Sequence, residues 1–88
     1  MEQIEKEIKE IIIEVSGLNR QPEDLDDETT LDELGYITVM CNALASKLRK
    51  YIQSRHSSGN VENSDITPDI TIEDVVKLVI AVIEIIAE

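Results

Sequence analysis

Apolar residues recur over residues 2–16 at three- and four-residue intervals. Ile4, Ile8, Ile11, Ile12 and Val15 form one stripe, while Glu2, Glu5, Lys6 and Lys9 take the other faces. This is a helical period, because 3.6 residues per turn bring positions i, i+4, i+7 and i+8 onto one side. Glu2 with Lys6 and Glu5 with Lys9 stand in the favourable i, i+4 order, and Gly17 suits a helix end. From Leu18 to Tyr36 the period stops. Acids crowd this connection, and Leu18, Leu25, Leu31 and Leu34 punctuate it, which predicts a loop pinned onto a core. Thr30-x-x-Glu33 matches a capping box and predicts one helical turn before Gly35.

The helical period returns over about 37–55, where Met40, Leu44, Leu48 and Ile52 share a stripe flanked by Ile37, Cys41 and Tyr51. A polar run over about 56–66, with Val61 as the one apolar residue before Ile66, predicts a mobile loop. Residues 66–70 read as a turn or a single short helical segment. The third helix, 71–87, opens at Thr71, whose spacing to Asp74 approaches a capping box. Its core stripe is Ile72, Val75, Val76, Val79, Ile83 and Ile86. Leu78, Val82 and Ile85 widen the apolar surface on one flank, and Ile80 on the other. No strand-like alternation of useful length occurs. The expected fold is all-α: one domain over 1–88, a three/four-helix bundle with a long first loop.

Composition narrows the function. The formal charge is −11, from 19 acids and 8 bases, so the chain repels nucleic acid and anionic lipid, whose binding needs clustered Lys and Arg. Basic protein surfaces are its natural counterparts. The longest apolar run, Val75 to Ala87, contains Lys77 and Glu84 and is shorter than the ~20 residues of a membrane span; membrane insertion is not expected. The single cysteine, Cys41, has no internal disulfide partner. With no signal-like opening, a cytoplasmic location is expected. No acid, base and nucleophile set converges, so the chain is not expected to be an enzyme. Asp24, Asp26 and Glu28 mimic the first ligands of a calcium loop, but Thr29 stands where such a loop needs glycine. His56 has no cysteine at ligand spacing, and no metal site is expected. Cys41, beside the core stripe, reads as a small buried hydrophobe.

Several segments in order resemble the acyl carrier protein family. Pro22-Glu23-Asp24-Leu25 is similar to the turn of that family's first loop. Thr29-Thr30-Leu31-Asp32-Glu33-Leu34-Gly35 looks like the segment leading to its attachment site. Leu44, Leu48 and Ile52 follow Thr38 where the family places core residues, and Ile70-Thr71-Ile72-Glu73-Asp74-Val75 resembles the start of its last helix. The resemblance spans nearly the whole chain. It implies a carrier fold, a 4'-phosphopantetheine arm, and synthase or transferase partners of a fatty-acid or polyketide pathway.

The attachment motif itself departs from the family. Leu-Gly-x-Asp-Ser-Leu becomes Leu34-Gly35-Tyr36-Ile37-Thr38-Val39, so Ile37 stands for the aspartate and Thr38 for the serine that carries the arm. The aspartate helps hold the magnesium that neutralises the coenzyme A phosphates during loading, and Ile37 offers no oxygen. Thr38 keeps a hydroxyl, but a branched one that is stiff at χ1. Two readings of Thr38 stand together: the arm's attachment position, and a helix N-cap accepting from the N–H of Met40 or Cys41.

The second helix departs in charge, with Lys47, Arg49, Lys50 and Arg55 and no acid. It reads either as a solvated face with cations favoured near the C-terminal end, or as a docking surface for an acidic partner. Tyr36, Ile37, Val39, Lys47, Arg49 and Lys50 are the expected partner-binding residues. The Leu78, Val82, Ile85 flank reads as core, as the lining of an acyl-chain cavity, or as a contact for a partner helix or a second copy.

Overall fold

Each run of helical period becomes a helix in the computed structural model, which describes residues 2–17, 19, 21–55 and 61–87, and their side chains except at 2 and 84–87. Helix α1 spans Glu2–Ser16, α2 spans Thr38–Ser54 and α3 spans Ile72–Ala87. Three short 3-10 turns lie between them, at Pro22–Asp24, Leu31–Leu34 and Asn63–Asp65. The described residues contain no strand, only an isolated antiparallel bridge between Thr30 and Thr71. The chain is thus all-α, with three helices.

The core is aliphatic, as the scarcity of aromatics dictates. Ile8 and Ile12 of α1, Leu44, Leu48 and Ile52 of α2, and Ile72, Val75 and Val79 of α3 are fully buried together. Each such side chain contributes roughly 1.5–3 kcal/mol through removal from water. Leu25, Leu31 and Leu34 of the first connection are buried as well, so that loop is pinned as its leucines predict; Leu18 lies outside the described residues. The radius of gyration, 11.9 Å, is close to the ~12 Å of a compact chain this long.

Two kinds of bond hold the loops. First, the long connection is clasped to the segment before α3 by backbone. Leu31 N–H donates to the Ile70 carbonyl at 3.0 Å and Asp32 N–H to that of Pro68 at 2.8 Å. In return, Ile72 N–H donates to Thr29 at 2.9 Å and Glu73 N–H to Asp27 at 3.0 Å. Second, carboxylates cap the local starts. Asp24, Glu33, Asp65 and Asp74 each accept the backbone N–H three residues earlier, at Gln21, Thr30, Glu62 and Thr71. At α3 the box is complete, because Asp74 N–H also donates to the Thr71 hydroxyl at 3.1 Å. These four acids are therefore spent on amide groups that the turns and α3 leave without a partner.

In the second half of the loop expected to be mobile over 56–66, the chain is anchored by apolar residues; residues 56–60, His56 among them, lie outside the described residues. Val61 is fully buried and Ile66 nearly so, with the Asn63–Asp65 turn between them. Two apolar anchors suffice because the Arg49 guanidinium donates to the Val61 carbonyl at 3.1 Å and to Asn63 Oδ1 at 2.8 Å. The 66–70 segment forms the expected turn, with Ile70 N–H donating to the Thr67 carbonyl at 3.4 Å, and the Asn63–Asp65 3-10 turn stands just before it.

Candidate functional site at the start of α2

The Leu31–Leu34 turn ends in a Schellman arrangement. Tyr36 N–H returns to the Leu31 carbonyl at 3.1 Å and Gly35 N–H to that of Asp32 at 3.0 Å. Gly35 makes this possible with φ +88°, a left-handed conformation costly to residues with a Cβ. The turn sends Tyr36 inward and leaves Ile37, Thr38 and Val39 outside. Tyr36 is only 3% exposed, and its hydroxyl donates to the Ile12 carbonyl at 2.6 Å. Burial pushes its pKa well above the usual tyrosine value, so it stays neutral. Tyr36 therefore drops out as a partner-binding residue: its ring is core and its one polar atom is bonded to α1.

Ile37 and Val39 behave oppositely. They are 61% and 72% exposed, the exposed large hydrophobic side chains among the described residues. Thr38 stands exposed between them.

The expected capping role of Thr38 is corrected. Ile37, with extended backbone at φ −115° and ψ 173°, is the N-cap, and Thr38 is the first helical residue. Cys41 N–H accordingly bonds the Ile37 carbonyl at 3.0 Å. No side-chain cap closes this end, and the first turn has no acid. Unlike the three 3-10 turns and α3, α2 has no capping carboxylate at its start. Cys41 is buried, and burial raises its thiol pKa, so little thiolate forms.

The basic residues of α2 are largely committed to the chain itself. Lys47 pairs with Glu14 at 2.8 Å. Arg55 lies 3.5 Å from Glu7 and 5.5 Å above the Tyr51 ring. The Tyr51 hydroxyl also donates to Glu7, at 2.9 Å. Burial first, then that bond to Glu7, pushes its pKa up to about 12. Arg49 holds Val61 and Asn63, as described. Lys50 is exposed and makes no ion pair among the described residues. Of the three cations expected to face partners, Arg49 is a loop clamp, Lys47 an exposed cross-helix ion pair, and Lys50 open.

Glu7, Glu14 and Asn63 were missed as counterparts of these cations. The available signal was on α1, where Glu7 and Glu14 lie two turns apart beside the core stripe.

Elsewhere, Lys9 bridges Glu5 and Asp27, each at 3.1 Å, and ties α1 to the first loop. Burial lowers its pKa, but the hydrogen bonds to Asp27 and Glu5 outweigh that and the net shift is upward. Two open grooves of about 310 Å³ share Glu5 as a lining residue. One runs past Lys6, Lys9, Pro22 and Glu23; the other is floored by Val76 and Ile80 of α3. Neither touches Thr38. Leu78 and Val82 pack half-buried against the core, and the Ile85 side chain lies outside the described residues.

In the acidic loop Asp24 caps Gln21 and Asp26 Oδ1 accepts the Glu28 N–H at 2.9 Å, so both carboxylates serve local turns. Among the described residues no group of three or more His, Cys, Asp or Glu side chains is arranged to hold a metal ion. None of the described helices is long and apolar enough to cross a membrane. Comparison with protein-family models, curated proteins and solved structures finds no match to the chain.

Proposed function

We propose that this chain is a divergent acyl-carrier-like domain of a fatty-acid or polyketide-type pathway that works without the ordinary serine-linked arm, as a protein-contact module. One observation carries the reading. Thr38 opens α2 in the open, directly after the Gly35 turn and the buried Tyr36, with two aliphatic side chains exposed beside it. The helix order, the long clasped first loop and the short element before α3 support the carrier-like part. The loss of loading rests on Ile37, whose exposed side chain presents hydrocarbon where the transfer chemistry needs an oxygen on magnesium. The residues present do not suit the prosthetic group.

Partner contact then falls to Ile37 and Val39, with Thr38 between them and Lys50 further along the helix. The internal pairing of Lys47, Arg49 and Arg55 argues against a broad basic docking surface. Such a module regulates or scaffolds acyl-transfer enzymes and is not itself a catalyst.

A second reading, in which Thr38 is loaded, is favoured by the exposure of that residue. Incubation with a promiscuous phosphopantetheinyl transferase, magnesium and coenzyme A, followed by mass spectrometry, separates the two. Under the main reading the wild-type mass is unchanged, while the Ile37→Asp, Thr38→Ser double variant gains one phosphopantetheine. A wild-type gain abolished by Thr38→Ala establishes the second reading. Failure of the double variant to load removes the carrier-like assignment.

A further inference from the structure

We draw no further inference here: the strongest candidate, the exposed Ile37 and Val39 pair on the uncapped start of α2, belongs to the site already described, and nothing in the structure shows what covers it.

Discussion

The Tyr36 hydroxyl lies 2.6 Å from the Ile12 carbonyl oxygen of α1, inside the core and one residue before the exposed run Ile37, Thr38 and Val39. A buried phenol needs a partner for its O–H, and this one finds it on another helix. The bond therefore fixes where the backbone leaves the core, and so where residues 37–39 emerge.

Both tyrosines resist ionisation, with consequences at alkaline pH. Free tyrosine titrates near ~10, whereas burial and Glu7 hold Tyr51 up to about 12 and burial holds Tyr36 higher still. Both folded values are raised, so this stabilisation is complete below ~10 and is lost as pH climbs through the folded values. Lys9, also raised, acts in the same direction. Phenolate absorbance should stay near its neutral baseline around pH 10 in the folded protein and rise with unfolding. Tyr36→Phe should cost about 1–2 kcal/mol in urea denaturation. Free-tyrosine titration at both positions in the native state would refute this placement.

Capping should differ sharply between the two threonines that open helices. Thr71→Ala removes the acceptor of the Asp74 N–H and should cost about 1 kcal/mol. Thr38→Ala removes no cap bond and should stay within about 0.5 kcal/mol of wild type. Equal losses in denaturant titrations would return Thr38 to the capping role.

Gly35 offers a test of backbone geometry alone. A Cβ built there meets nothing within 4 Å, yet φ is +88°. Gly35→Ala should therefore cost about 1–2 kcal/mol without a steric clash, and Gly35→Asn less, since asparagine tolerates the left-handed region. A neutral Gly35→Ala by thermal melting would contradict the Schellman turn.

The segment after residue 60 should behave as structure. Val61→Ala empties a fully buried site and should cost about 2 kcal/mol. Arg49→Met should speed amide hydrogen exchange over 61–66 ahead of the rest of the chain, because it removes both donors to that segment. Unchanged exchange would mean the clamp holds nothing.

The three helices were legible because Ile, Leu and Val carry a strong 3.6-residue period, and their observed ends differ from the expected ones by at most one residue. Thr30-x-x-Glu33 and Thr71-x-x-Asp74 were legible too, since capping is local chemistry at fixed spacing. The pairing of Lys47 with Glu14 and of Arg55 with Glu7 was not, because charge periodicity on one helix does not say which face a neighbour covers. Tyr36 was misjudged for a similar reason: beside a glycine turn, a single-residue change of direction decides between core and surface. Val61 was hidden because one apolar residue in a polar run carries no period. At the site, Ile37 and Val39 were read as outward-facing residues beside Thr38, and their exposure agrees with that placement although their hydrophobicity alone would not have given it.

The exchange of backbone bonds between 27–32 and 68–73 restricts how this chain can be lengthened. An insertion between Asp27 and Leu31 would shift one side of the ladder against the other, pulling Leu31 from its seat or stranding the first amides of α3. Variation in length is thereby steered away from the 27–31 part of the acidic loop, and toward stretches that share no such bonds.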